Sequence, residues 1–467
     1  MRLKSFLLII ITMVSRILGF LRSGLTYWLF PNVLISDNLN AVLALPNTFR
    51  KLLAEGSLGQ NFAFSFSADG QDARIPAWDY MLKQMAWSVP TFIIMYILAP
   101  VYVNLFFPDQ AASGSIESFQ YSFLYIPFSA LSSVPAGYLA YKGKNHLLVL
   151  GTLGFSITTI TGLLILSILE LGNWGLYIAL GGAVQLVLFL LLAQCWNWDA
   201  PGQVRTRGLI RTWFAQLAFF SLSLILFLII LSLASKTAQE GLLTAFSIEY
   251  NLIQLPIGIL INVHSMESFS DALESSNQST KYYFYQFFRL IPWFLLLFFA
   301  IFLFEIDVVN VLFGESYIEL RPPHLLTMFS LSLPALALIN FVQKVYAQRK
   351  QYLLPLFLQF LGMVLGYFLS YHSLFWMWAT CLNTAAFILI LPFIPKLTIS
   401  EIKNMVFTIT KLSFFALPSI FILMVSHFVF INYSSMFRVT LAAFLGLSFM
   451  VIPSYVFKQK EVRFWEG

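Results

Sequence analysis

Residues 220–234 read FSLSLILFLIILSLA and residues 294–304 read FLLLFFAIFLF. Neither stretch alternates apolar and polar residues with period two, as the strands of a membrane barrel do, and both are apolar all round. A helix with no polar face belongs in lipid or deep inside protein. Working outward, the same kind of run recurs along the whole chain. Of its 467 residues 59% are hydrophobic and 10% charged, with a mean hydropathy of +0.80, whereas a soluble domain carries about 25% charged residues. The fold class read from this is an all-α polytopic membrane protein.

A bilayer core of roughly 30 Å takes about 20 apolar residues per helix. On that scale fourteen spans are expected, near residues 5–30, 37–66, 82–107, 117–141, 145–169, 172–195, 213–235, 240–268, 284–313, 324–348, 351–371, 373–395, 405–432 and 436–457. Met1 to Lys4 followed by SFLLIIITMV has the basic start and apolar centre of a signal peptide. SRILGFLRSG then stands where a small-residue cleavage site belongs, so an uncleaved first span is expected. Cys195 and Cys381, the two cysteines, lie far apart in or beside apolar segments and read as small buried hydrophobes rather than a disulfide.

Lys and Arg set the orientation. With the N-terminus inside, the cytoplasmic segments receive Arg2 and Lys4, Lys142 and Lys144, Arg205, Arg207 and Arg211, Lys344, Arg349 and Lys350, Lys396 and Lys403, and Lys458, Lys460 and Arg463. Only Lys236, Arg321 and Arg438 stand out on the other side, so both termini are expected in the cytoplasm. The basic pI of about 9.1 then follows from topology and anionic headgroups and calls for no nucleic-acid partner. Two sets of six spans look like a diverged repeat. Leu45-Pro46 in the second span matches Leu255-Pro256 in the eighth, and GYLAYKGKNHLLVL from Gly137 matches KVYAQRKQYLLPLF from Lys344. The expected organisation is therefore an N-lobe at 1–205, a C-lobe at 206–400 and two extra helices at 401–467, with a substrate site between the bundles near mid-membrane.

An Arg or Lys at mid-bilayer costs roughly 2.5–3.5 kcal/mol, so charge inside a span asks for a functional reason. Arg16 sits near the middle of the first span, with Arg22 about 240° further round an ideal helix. A bend at Gly19 would turn both toward one cavity. In the second span Asn47, Arg50 and Lys51 fall at i, i+3 and i+4, with Asn40 one heptad earlier. That basic stripe belongs on a water-filled space or a ligand; the plainer alternative pairs Arg50 or Lys51 with Glu55, or lets them snorkel to an interface. In the eighth span Thr244, Ser247, Asn251, Gln254, Gly258, Asn262 and Ser265 trace one neutral polar face. It either lines the opposite wall or serves helix–helix hydrogen bonding. Glu249 and Glu267 read as cavity carboxylates, or, for Glu267, as the cytoplasmic helix end. Guanidinium forks suit phosphate oxygens, and a low-dielectric cavity strengthens each such contact, so a pyrophosphate-linked lipid fits this chemistry.

Residues 15–62 read SRILGFLRSGLTYWLFPNVLISDNLNAVLALPNTFRKLLAEGSLGQNF. This resembles the N-terminal signature of the MurJ (MviN) lipid II flippases, whose elements fall here on Ser15, Arg16, Gly19, Arg22, Asp37, Leu45, Pro46, Asn47, Arg50, Lys51, Glu55, Gly56 and Gln60. CLNTAAFIL from Cys381 looks like that family's twelfth helix and QLPIG from Gln254 like its eighth. The resemblance implies a fourteen-helix member of the multidrug/oligosaccharidyl-lipid/polysaccharide exporter superfamily, a transporter rather than an enzyme. Its cargo would be lipid II, undecaprenyl-pyrophosphoryl disaccharide-pentapeptide, moved outward for peptidoglycan synthesis in the bacterial inner membrane. It implies Arg16, Arg22 and Arg50 as the cavity arginines, Asp37 as a polar residue near the outer end of the second helix, and a groove for the polyprenyl tail between the two extra helices. Two positions depart from the family pattern: Asn251 stands where an eighth-helix arginine is usual, and Ser23 where an acid often follows Arg22. The family's sodium site uses Asp and Asn in helices seven, eleven and twelve; here the seventh offers only hydroxyls and Asn383 stands nearly alone, which speaks against sodium coupling.

The expected substrate-binding set is thus Arg16, Arg22, Arg50, Asn47, Lys51, Asp37, Asn251 and Gln254, with no metal, no cofactor and a functional monomer among membrane lipids. Arginines in place of carboxylates argue against a pump for cationic drugs, whereas a flippase for another lipid-linked oligosaccharide of O-antigen type stays open. A glycosyltransferase needs paired acids or a His cluster near the membrane surface. Asp69, Asp72 and Asp79 share a cytoplasmic loop without a tight motif, and His146 and His264 are scattered. A membrane protein that binds glycolipid without transporting it would keep the same basic stripe.

Overall fold

The computed structural model describes residues 3–30, 32–49, 62, 74–108, 115–170, 172–198, 207–237, 239–256, 280–348, 353–370, 373–392, 403, 407, 410 and 418–442. These are helical almost throughout. In order they are α1 (Leu3–Leu29), α2 (Val33–Phe49), α3 (Arg74–Phe106), α4 (Ile116–Ser122), α5 (Tyr125–Tyr141), α6 (Asn145–Leu169), α7 (Trp174–Leu192), α8 (Arg207–Ser235) and α9 (Leu242–Pro256). There follow α10 (Thr280–Phe313), α11 (Glu315–Leu320), α12 (Leu325–Leu331), α13 (Leu333–Gln348), α14 (Leu353–Leu369) and α15 (Leu374–Ile390). α16 (Pro418–Val429) and a last stretch at 435–442 close the described chain. Among the described residues seven spans, such as Ala77–Phe106 and Trp293–Phe313, are long and apolar enough to cross a membrane, and shorter apolar helices include Ser221–Ser235 and Leu353–Leu369.

Burial is inverted relative to a soluble helix. On α3, Ile93, Ile97, Val101 and Leu105 are exposed, while Gln84 and Ser88 are fully buried. That pattern is stable where the solvent is hydrocarbon and polar side chains find partners only inside the protein. α3 begins at Arg74, two turns before the expected start, because Ala77 and Tyr80 are buried in a core with Leu8, Phe62 and Val134 and carry the helix past its apolar run. Asp79 therefore lies on a buried helical turn and not in a loop.

Two expected single spans are broken. The fourth divides into α4 and α5 before Pro127, and the tenth into α12 and α13 before Pro334. Proline has no N–H to give the carbonyl four residues back and its ring crowds that carbonyl, so the helix yields there. Pro127 and Pro334 are 207 positions apart, the same offset that relates Gly137 to Lys344 in the matched basic corners.

The chain separates into two compact units. In the N-terminal unit, Lys4–Asn277 with Gln343–Phe360, α6 and α7 lie closest, with Gly162 against the ring of Tyr177 where a Cβ would collide. Trp174 of α7 donates to the Leu39 carbonyl at 2.9 Å, tying that pair to α2. In the C-terminal unit, Gln278–Val342 with Leu361–Gly467, Gly366 of α14 lies against the backbone of Cys381 of α15 with no room for a side chain. Glu305 of α10 is buried, pairs with Arg321, and accepts from the Leu326 and Thr327 amides at 3.2 Å each, closing the N-terminus of α12. Asp307 of α10 pairs with Arg438, and Asn310 reaches Ser435 at 3.4 Å, so the last helical stretch is fastened to α10. Cys195 and Cys381 are buried free thiols.

Candidate functional site

Four helices of the N-terminal unit, α1, α2, α8 and α9, enclose two polar cavities. The first, about 310 Å³, is lined by Ser15, Arg16, Gly19, Phe20 and Arg22 of α1 and by Asn251 and Gln254 of α9. α1 runs through Gly19 as a single helix, yet both arginines reach this one space. Arg22 is 1% exposed and its guanidinium lies over the ring of Phe155 in α6, 5.3 Å from the centroid. An aromatic face attracts a desolvated guanidinium by about 2 kcal/mol or more. Arg16 is half-buried. The described lining contains no carboxylate, so the cavity favours an anion.

The second cavity, about 380 Å³, adjoins the first. Its polar wall is Ser23 of α1, Asn40, Asn47 and Thr48 of α2, and Ser247 and Asn251 of α9; Leu224, Phe227 and Leu231 of α8 complete it with Leu43 and Ala44. Asn40 and Asn47 thus share a wall, as their heptad spacing requires. Asn251 lines both cavities, and its Nδ2 donates to Ser23 Oγ at 2.7 Å. The two departures from the family pattern are therefore each other's partners, a neutral hydrogen bond in place of a cation and an acid.

Asp37, expected beside the substrate, joins α2 to the start of α9. Its Oδ1 accepts from the Thr244 amide at 2.8 Å and the Thr244 hydroxyl at 2.6 Å, and its Oδ2 from the Gly241 amide at 3.0 Å. The first amides of a helix have no intrahelical acceptor, and a carboxylate there also meets the positive end of the helix dipole. Gly241 takes φ +83°, which bends the chain so that its amide faces the carboxylate. Asn40 adds a bond from its Nδ2 to Thr244 Oγ1 at 3.3 Å. Glu249 is fully buried in α9. Arg50, Lys51 and Glu55, and in the eighth span Gly258, Asn262, Ser265 and Glu267, lie outside the described residues.

Sequence reasoning missed the aromatic supports. Phe155 under Arg22 and the stack of Phe227 on Tyr250, with centroids 3.8 Å apart, come from apolar runs in which no residue announces such a role.

Apolar helices that hold arginines and amides around an internal cavity define an all-helical, multi-pass membrane protein. The family model for lipid II flippase MurJ matches residues 28–445, and the chain belongs to that family. A probable lipid II flippase MurJ of Borreliella burgdorferi is 26% identical over 273 residues, 55% of this chain and 53% of that protein. One of Aquifex aeolicus is 26% identical over 204 residues, 39% and 38% of the two chains. The chain thus aligns with about half the length, or less, of these relatives. Among solved structures, a lipid II flippase MurJ in an inward closed conformation superposes with a TM-score of 0.74 at 13% identity, over 97% of this chain and 100% of that one. The eukaryotic MATE transporter AtDTX14 gives 0.58 at 11%, over 87% and 97%. These two likenesses establish the shared fold.

Proposed function

We infer that this chain carries lipid II from the cytoplasmic to the outer leaflet of the bacterial inner membrane by alternating access. The observation that supports this best is the placing of Arg16 and Arg22 on one cavity inside apolar helices, with no carboxylate among its described lining residues. Charge held inside a membrane span asks for a functional reason, and two guanidinium forks on one space match the oxygens of a diphosphate. In this reading Arg50 and Lys51, a helical turn past Asn47, extend the same basic wall. Residues 1–205 and 206–400 are the lobes that rock, and 401–467 form the groove for the polyprenyl tail. Both termini face the cytoplasm and a monomer suffices.

Asp37 is the outer latch, since its three bonds tie α2 of one lobe to α9 of the other. A disaccharide-pentapeptide is larger than either cavity, so in this reading the helices part to load it. Cells depleted of their own lipid II flippase provide the test. They are expected to survive on this chain and to die on Arg16→Ala or Arg22→Ala at equal expression; rescue by both variants would remove the arginines from the mechanism.

A further inference from the structure

Two adjacent glycines of α7 lie under two buried rings. A Cβ on Gly181 would stand 3.0 Å from Phe155 of α6, and one on Gly182 would run to 2.5 Å from Tyr125 of α5. The rings themselves are fully buried, with centroids 4.9 Å apart and planes inclined at 56°, a tilted arrangement that aromatic pairs favour. The Tyr125 hydroxyl donates to Gln185 Oε1 at 3.1 Å, and Gln185, one turn past the glycine pair, is also fully buried. Phe155 is thus braced by α5 and α7, and a ring in so close-packed a site cannot turn without moving its neighbours.

What this ring carries is the guanidinium of Arg22, 5.3 Å from its centroid. An arginine side chain has about 2 kcal/mol of rotamer freedom to lose, and a fixed surface beneath it removes part of that freedom before a ligand arrives. The face attracts the cation through the ring quadrupole. Unlike a carboxylate it adds no counter-charge to compete with an anionic ligand. Phe155 itself lines neither cavity, so any effect it has on a ligand there must pass through Arg22. We propose that Phe155 is a positioning residue: braced by Tyr125 and the Gly181–Gly182 pair, it sets where the Arg22 guanidinium stands, and the strength of anion binding depends on the charge of its ring face. This rests on the reading that Arg22 meets the diphosphate of the cargo.

The test is lipid II translocation by the full chain in vesicles, with one, two or three fluorines placed on the ring of Phe155. Fluorine withdraws negative charge from the face and hardly changes the size of the ring, so packing is kept while the attraction for a cation fades. The lipid II content that gives half-maximal rate is expected to rise with each fluorine, by about tenfold in all. The same series on Phe189 is the comparison, since that ring is also fully buried and packs on Gly151; it should leave the value unchanged. A flat series at Phe155, or equal rises at both rings, would overturn the positioning role while leaving the cargo reading intact. Wild type that moves no lipid II would overturn the cargo reading and this role with it.

Discussion

Arg22 shows what a buried charge requires. With 1% of its surface exposed it rests on Phe155, and the ring of Phe155 lies 4.9 Å from that of Tyr125, whose hydroxyl donates to Gln185 at 3.1 Å. A guanidinium so supported is oriented before any ligand arrives, which lowers the ordering cost of binding. Asp37 is the other decisive residue. Hydrogen bonds to a charged group contribute about 1.5–3 kcal/mol each, and Asp37→Asn would turn an amide N–H against the Gly241 N–H and lose the attraction to the α9 dipole. That variant is expected to shift the chain toward its outward-open state by about tenfold or more. The readout is labelling of a cysteine at Ser247 by a membrane-impermeant maleimide from outside, and unchanged labelling would show that Asp37 is not a latch.

At the scale of elements, the glycines divide into those that touch a neighbour and those that do not. A Cβ on Gly366 would run into the Cys381 backbone, whereas one on Gly19 meets nothing within 4 Å. Gly366→Ala is therefore expected to lower stability by about 1–3 kcal/mol, seen as a drop in melting temperature in detergent. Gly19→Ala should stay within about 0.5 kcal/mol of wild type. Equal effects would contradict the close approach of α14 and α15. Most spans were legible because hydrophobic length is a local property, and α1, α6 and α10 fall within a few residues of their expected bounds. The breaks before Pro127 and Pro334 were not legible, since proline inside a membrane helix is often tolerated where neighbours satisfy the freed groups.

At the scale of the whole molecule, the basic segments predict that a C-terminal tag is cleaved only by protease reaching the cytoplasmic face of oriented vesicles. Cleavage from the opposite face would require an odd number of spans. Spacing alone put Asn40 on a common wall with Asn47, and the first-helix signature put Arg16 and Arg22 on a cavity. The capping role of Asp37 was hidden because its partners Gly241 and Thr244 are 204 and 207 positions away, and no local pattern reports a contact made only when the chain has folded. The Ser23–Asn251 pair escaped for the same reason: each looked like an isolated departure until the helices brought them within 2.7 Å.

In the proposed function, arginines on this cavity move a diphosphate-linked glycolipid across the bilayer. The most direct measurement is lipid II translocation in vesicles holding only the purified chain, read as the fraction of lipid reaching an impermeant enzyme on the far side. Wild type should translocate lipid II and Arg16→Ala should fall to the rate of empty vesicles; translocation by Arg16→Ala at the wild-type rate, or none by wild type, would contradict it.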